Sequence, residues 1–563
     1  MEKVSKPPSH LRGFIMHRFM NILFGCFVVV LGSASAAVAD IRLNTLGFLP
    51  DYDKKATIVS ACSDFAVIDA KSGKTVFDGE VTGPFYQKDV DQEVWIADFS
   101  PVRKKGRYYL EVPGVGRSVE FPVGEGVYDF AYYTAMRAFY LWRCGTAVEG
   151  VHEGQRFAQA ACHLDDAYLD FVGPDSSRRD ATGGWHDAGD YNKYVVNAGI
   201  TVGNLFLAWE DFMDPISRKP LDLPETAPGY PDFLKELKGE TDWLLKMQLD
   251  SGKVSHKISA MGFCGFIMPD EERDKRYFTD WSSTATADFC AMMAMASRIF
   301  RPYDPQYADS CLRAAELSYA FLKAHPDNKR PNQRAFRTGG YGSPDPDDRL
   351  WAAAELWEST GNPDCLEDFE TRAAGFEKKI IKNWDWAEVR NLGMLTYYFS
   401  GREGKNPETV GTIRAEIIAV ADTIVRIADG DVYGRPLGGR YYWGCNGGIA
   451  RQAVILQAAN RISPDPGYIN AVLDAAGHLF GRNVYGRSFV TGLGHRPPMH
   501  PHDRRSGADG VEPPWPGYVV GGGHSATDWQ DAESDYRTNE IAINWQAALV
   551  YLLAGFLSGQ ENQ

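Results

Sequence analysis

A small all-β sandwich followed by a large, mainly α domain of paired helices packed in a ring is the architecture this sequence predicts. Three observations predict it. Near residue 128 the texture changes from short β-rich runs between turn signals to long stretches with apolar residues at three- and four-residue spacing. Those helical stretches are joined by Gly- and Pro-rich loops without intervening strands, which favours helix pairs in a toroid over a parallel sheet. The length of 563 residues exceeds one ordinary domain and accommodates one small core and one large one.

The first element, residues 1–39, reads as a signal peptide. Arg12, His17 and Arg18 precede an apolar run over 22–31 and small residues ending Ala37-Val38-Ala39 before Asp40, the pattern of a secretory leader with an A-x-A cleavage site. The run is too short to span a bilayer. The mature protein is therefore expected to be secreted or periplasmic, cut near Ala39/Asp40, with Met16 or Met20 as alternative starts to Met1. Acylation at Cys26 is a competing reading, but the apolar run continues past it and Phe24 suits such a site poorly.

The second element, residues 40–124, shows β-rich runs at 56–67, 74–76, 93–96, 107–112 and 118–123, the spacing of a small sandwich. The third, residues 125–563, carries amphipathic stretches at 130–143, 231–247, 286–301, 306–324, 350–358, 413–427 and 449–461. Polar segments at 181–194, 337–349, 431–446 and 488–531 fall between helices, where a site on a rigid scaffold belongs. The last helix is expected to end near Leu557, with no binding module after it.

Composition narrows the partners. Hydrophobic residues at 44% and charged ones at 24% are the balance of a soluble globular chain. With 74 acidic against 59 basic side chains the net charge is -15, and no basic patch is visible, so neither nucleic acid nor an anionic membrane is an expected partner. A monomer is expected. Apart from Cys26, the cysteines are scattered from Cys62 to Cys445 in a long chain, which is no disulfide scaffold.

Two segments carry chemistry. GGWHDAGDYNKY (183–194) sets Asp187 and Asp190 three residues apart among glycines and aromatics. Two carboxylates converging on one solvent volume can hold a water and accept its proton; an Asx-type turn or a helix N-cap is the alternative use of the same residues. WQDAESDYRTNEIA (529–542) puts Glu540 where a helix turns apolar, and burial there would keep it protonated; balancing the helix dipole is the alternative. A buried proton donor opposite a water-holding carboxylate pair is the equipment of inverting glycoside hydrolysis.

These two segments, together with WGCNGG (443–448), SFVTGLGHRPPMHPHDR (488–504), TGGYGSPDPDDRLWAAAEL (338–356) and the leading IRLNTLGFLPD (41–51), resemble glycoside hydrolase family 9, the cellulase family, in its subgroup with an N-terminal immunoglobulin-like domain. The resemblance covers nearly the whole mature chain. It implies an (α/α)6 toroid with an open cleft across one end, and a secreted inverting endo-β-1,4-glucanase acting on cellulose or a related β-glucan; an exo-acting member and a silent sugar-binding protein are the alternatives. It implies Asp190 as general base, Asp187 as its water-positioning partner and Glu540 as general acid. His502, Arg504, Trp443, Asn446 and Tyr536 are the implied substrate-binding residues. The surplus of 14 Trp, 27 Tyr and 30 Phe agrees with stacking on sugar rings. Asp503 and Gln546 depart from residues common in the family, which implies altered local substrate contacts.

Metals follow the same way. Cys144, Cys162, His163 and His186 offer two thiolates and two imidazoles, a closed structural zinc set, although their spacing is no short finger pattern and buried free thiols are the alternative. The resemblance implies the zinc. Asp345, Asp347 and Asp348 crowd three carboxylates into four residues, either a solvated loop or an oxygen-rich cation site. The resemblance implies a structural calcium on Asp347, Asp348 and Asp385. No organic cofactor is expected.

Overall fold

The structure, a computed structural model, describes residues 40–559, so the leader expected over 1–39 lies outside the described residues. Eight antiparallel strands build the N-terminal sandwich: β1 (Ile41–Arg42), β2 (Lys55–Ile58), β3 (Asp64–Asp69), β4 (Thr75–Gln87), β5 (Gln92–Asp98), β6 (Gly106–Val112), β7 (Gly116–Arg117) and β8 (Phe121–Val123). The long β4 turns one sheet into two layers. Its first half pairs with β3 (Phe65 opposite Gly79), and its second half pairs with β5 (Val81 opposite Ala97). Between the layers lie Ile58, Val67, Ala97, Leu110 and Phe121, with Phe48 edge-on to Phe99 and Phe121. The apolar run expected over 56–67 is two strands, broken by the polar stretch at 60–63. β4 reaches far beyond the expected 74–76 because its side chains are mostly exposed and show no apolar alternation.

Twelve helices of ten or more residues follow among the described residues: α1 (Asp129–Leu141), α2 (Val195–Ser217), α3 (Asp232–Met247), α4 (Ser283–Ile299), α5 (Pro305–Ala324), α6 (Pro346–Thr360), α7 (Pro363–Ala374), α8 (Arg390–Phe399), α9 (Pro407–Asp429), α10 (Cys445–Ile462), α11 (Pro466–Leu479) and α12 (Ile543–Ala554). The even-numbered helices form the inner ring. α12, α2, α4, α6 and α8 touch in sequence, α10 packs on the other side of α12, and α9 bridges α8 to α10. The remaining odd-numbered helices pack outside them, giving the (α/α)6 toroid.

Four outer helices share one starting device. Asp304, Asn362, Asn406 and Asp465 each cap the backbone N–H groups of the turn they begin, and each is followed by a proline whose missing N–H costs the first turn nothing. α2, which the spacing of apolar residues does not reveal, is buried nearly all round and buries residues on every face from Val195 to Phe206. Strands do intervene, contrary to expectation. A hairpin (Val148–His152 with Gln155–Gln159) and a small sheet (Lys193–Tyr194, Lys257–Ser259, Tyr277–Phe278) lie between helices, the strands of the sheet being too short to show a period of two.

The sandwich is bonded to the toroid. Arg42 Nη1 donates to the Tyr433 hydroxyl (2.6 Å), Asn44 Nδ2 to the Tyr128 hydroxyl (2.8 Å) and Thr57 Oγ1 to the Val432 carbonyl (2.6 Å). Arg482 bridges Asp474 (2.7 Å) to Thr57 (3.2 Å). None of the described helices is long and apolar enough to cross a membrane.

Candidate active site

The loop after the 183–186 turn is held from below and from the side. Trp185 N–H donates to Glu240 of α3 (2.6 Å), and His186 N–H to the Trp142 carbonyl at the end of α1 (2.9 Å). Asp187, almost fully buried, accepts from Asn197 Nδ2 on Oδ1 and from the Tyr341 hydroxyl on Oδ2, both at 2.7 Å. Asp190 Oδ2 accepts from Asn192 Nδ2 and from the Tyr194 hydroxyl (3.2 Å). Burial, and then the charge of Asp190, push Asp187 up to about 8. Asp187 therefore favours its protonated form more than an ordinary carboxyl does.

Glu540 enters the same cleft from the segment before α12. Asp187 carbonyl accepts the Ile543 N–H (2.9 Å), Ala188 and Ala542 form an antiparallel bridge, and the His502 N–H donates to the Asn539 carbonyl (2.9 Å). Gly189 must be glycine, because a Cβ there would sit 2.1 Å from the His502 carbonyl oxygen. Burial first, then the charges of Asp190 and Asp187, hold the Glu540 carboxyl well above the usual range, against the pull of the Arg504 guanidinium.

Around these carboxyls lies a cleft of about 590 Å³, lined by Asp187, Asp190, Glu540, His502, Arg504, Trp443 and Tyr536 together with Tyr341, Trp386 and Phe263. Trp443 and Tyr536 are 45% and 49% exposed with ring centroids 5.5 Å apart, an aromatic pair offered to a ligand. His502 Nδ1 donates to the Glu533 carbonyl (2.7 Å), and burial keeps its ring below the usual imidazole range, so a neutral His502 presents Nε2 as an acceptor. Arg504 Nη1 donates to the Gly189 carbonyl (2.6 Å).

Asn446 does not line the cleft. It opens α10, is buried, and donates Nδ2 to the Val520 carbonyl (2.9 Å), so its role is to hold the 520–522 strand-like segment. The two departures from the family pattern are likewise internal. Asp503 is buried against Arg505 and Ser506, and Gln546 holds the Val519 N–H and the Ala135 and Gly517 carbonyls. Altered substrate contacts do not follow from either. Tyr341, Asn197 and Trp386 had no predicted role; the pairing of TGGYG with the Asp187 loop is a long-range contact that no local signal announces.

Cys144, Cys162, His163 and His186 come together, all buried, with their ligand atoms within 4.8 Å of one another. Cys144 Sγ lies 3.6 Å from His163 Nδ1, and Cys162 Sγ 3.7 Å from His186 Nε2. Tetrahedral zinc with Zn–S near 2.3 Å and Zn–N near 2.0 Å spaces neighbouring ligand atoms about 3.5 Å apart, so donor types and spacing both fit. Glu272 Oε2 sits 2.8 Å from His163 Nε2, the carboxylate that orients such a ligand.

Asp347, Asp348 and Asp385 are not brought into one cluster. Asp385 lies at the cleft, 3.2 Å from the buried Arg451 guanidinium and accepting from Asn544 Nδ2 (2.8 Å). Asp347 accepts the Val389 N–H (2.7 Å), and Asp348 faces Asp288 of α4, an acid the sequence reading did not single out. Burial raises both Asp288 and Asp348 far above the usual carboxyl range, which makes them a protonated or cation-neutralised pair. Among the described residues the Cys/His set is the one group of three or more such side chains with converging ligand atoms.

Comparison with known proteins decides the family. The model for glycosyl hydrolase family 9 matches residues 128–553, and that for a cellulase N-terminal ig-like domain matches residues 36–117. The chain belongs to glycosyl hydrolase family 9. Among family relatives it is 56% identical to Endoglucanase D of Acetivibrio thermocellus, over 93% of this chain and 84% of the relative. It is 33% identical to a xyloglucan-specific endo-beta-1,4-glucanase of Bacteroides ovatus, over 94% and 96%. A solved family 9 structure from Bacteroides ovatus superposes with a TM-score of 0.86 at 33% identity, covering 92% of this chain and 98% of the other.

Proposed function

We infer that this family 9 glycosyl hydrolase is an inverting endo-β-1,4-glucanase, exported through the leader at 1–39, in which Asp190 is the general base, Asp187 its water-positioning partner and Glu540 the general acid. What supports the assignment is the combination in one cleft of a carboxyl raised well above its usual range, Glu540, with the hydrogen-bonded carboxyl pair Asp187 and Asp190. In an inverting hydrolysis Glu540 gives its proton to the glycosidic oxygen as the bond to C1 lengthens. Asp190 takes a proton from a water attacking C1 from the opposite face, and that water supplies the new hydroxyl. Asp187, fixed by Asn197 and Tyr341, orients the same water. Trp443 and Tyr536 stack on sugar rings, and His502 and Arg504 address hydroxyls near the scissile bond.

The Cys144, Cys162, His163 and His186 set would hold a structural zinc, which supplies a cross-link between the end of α1 and the loop bearing the base. Four protein ligands would make it a structural ion.

The test is product analysis over time on carboxymethylcellulose, barley β-glucan, xyloglucan and cello-oligosaccharides. Rapid viscosity loss with few reducing ends on at least one glucan is expected. A single small product without viscosity loss would replace the endo reading by an exo one, and no product on any glucan would leave a silent binder.

A further inference from the structure

Between the strand Lys257–Ser259 and the turn Pro269–Glu271 the chain runs along the cleft rim with large apolar side chains in the open: Met261 is 46%, Phe263 50% and Phe266 36% exposed. Adjacent apolar side chains left this exposed mark a surface meant to be covered. The stretch is not slack. Arg337 N–H donates to the Met261 carbonyl (2.8 Å), Arg504 Nε to the Cys264 carbonyl (3.0 Å), the Tyr191 hydroxyl to the Ile267 carbonyl (2.5 Å), and Ala260 N–H to Asn192 Oδ1 (3.0 Å). Two of these anchors, Tyr191 and Asn192, belong to the loop that carries Asp190.

The two phenyl rings share the Arg504 guanidinium, which is also 5.9 Å from the Phe266 centroid, but only Phe263 lines the cleft. Phe266 stands edge-on against His502, with centroids 5.4 Å apart and planes at 90°. Phe263 lines the cleft, and the Arg504 guanidinium lies 5.3 Å from its centroid. The other exposed rings of the cleft, Trp443 and Tyr536, pair with each other, and Tyr536 also meets His502, whereas Phe263 has no ring contact with either among the described residues. A β-linked glucosyl ring presents flat faces of axial C–H groups, and a half-exposed ring whose backbone is pinned on both sides covers such a face at little entropic cost.

We propose that Phe263 is a stacking platform for a glucosyl ring of the bound chain, at a position separate from the one served by Trp443 and Tyr536. The platform determines how tightly long chains are held, and it rests on the reading of the cleft as a β-glucan site.

The experiment compares Phe263→Ala, Phe263→Leu and Phe263→Tyr with the parent, each also in a Glu540→Gln background in which cellohexaose binding is measured by calorimetry without turnover. Thermal melting of every variant separates misfolding from lost contact. The Ala and Leu variants are expected to bind cellohexaose about tenfold more weakly and to show a matching rise in KM on barley β-glucan, with Tyr restoring both. Leu binding as tightly as the parent would overturn the proposal, because an apolar filler would then suffice. Unchanged affinity with a fallen kcat would overturn it too, since Phe263 would be acting only through Arg504. A parent that neither binds nor cleaves any β-glucan would remove the reading of the cleft and this proposal together, and that result is read on the parent before any variant is compared.

Discussion

Ala188 and Ala542 pair in an antiparallel bridge, and through that pairing the loop bearing Asp187 and Asp190 is set directly against the segment bearing Glu540. The Asp187 carbonyl takes the Ile543 N–H from the same segment, so the two carboxyl-bearing segments share backbone hydrogen bonds rather than relying on long side chains for their spacing. Hydrolysis with inversion needs a fixed gap between the two groups, wide enough for one water, and a backbone clamp supplies it with little freedom to lose.

Tyr341 reaches Asp187 Oδ2 from more than a hundred residues away. Replacing it by Phe removes one hydroxyl and keeps the ring. The expected result is a fall in kcat of roughly tenfold to a hundredfold with little change in KM. Steady-state kinetics on barley β-glucan with a parallel melting curve check it; lower stability at unchanged kcat would mean that the hydroxyl serves packing alone.

The acid requires its proton, so activity should fall on the alkaline side as Glu540 ionises, above the ordinary carboxyl range. The Arg504 guanidinium favours the ionised form. Arg504→Gln removes that stabilisation, raises the Glu540 pKa and should move the alkaline limb of kcat/KM to higher pH, whatever it does to the maximum. A limb that moves down or stays in place would contradict the electrostatic account.

Glu240 supports the base loop through the Trp185 N–H, and burial pushes its carboxyl up to about 8. A carboxyl raised in the folded state binds more protons there than when unfolded, so the parent should lose stability as pH rises from the ordinary glutamate range toward 8. Glu240→Gln keeps an acceptor for Trp185 and removes the titration. Its melting temperature should gain on the parent's through that window and run parallel above it, as scanning calorimetry at a series of pH values would measure.

The Cys/His set places Cys144, just beyond α1, beside His186, the residue before Asp187. Purified protein should contain one zinc per chain, and stripping it with a strong chelator should lower the melting temperature and activity together, both returning when zinc is restored. Metal-free protein with full stability and activity would show that the thiols and imidazoles pack without an ion.

Much of this site is contiguous in sequence, which is why it could be read there. Asp187 and Asp190 sit in one loop, and Glu540 lies at a visible change from polar to apolar texture. What could not be read are partners of ordinary residue type arriving from afar, such as Asn197 on a helix buried all round and Tyr341 on a separate loop. Asn446 was misplaced because its neighbour Trp443 does face the cleft, while the start of α10 at Cys445 turns Asn446 inward. Asp385 looked like an oxygen ligand until the buried Arg451 claimed it, and Asp288 was hidden as a lone acid within an apolar helix. In the fold, α7 and α11 are not among the helical stretches read from apolar spacing, although Asn362-Pro363 and Asp465-Pro466 open them.

The central claim is that Glu540 donates the proton and Asp190 receives one. Glu540→Gln and Asp190→Asn should be assayed side by side on carboxymethylcellulose and on an aryl β-cellobioside whose leaving group departs without protonation. The account predicts that Glu540→Gln loses the polysaccharide reaction but keeps much of the aryl reaction, whereas Asp190→Asn loses both. Retention of polysaccharide activity by either variant, or loss of the aryl reaction by Glu540→Gln to the same extent as by Asp190→Asn, would contradict it.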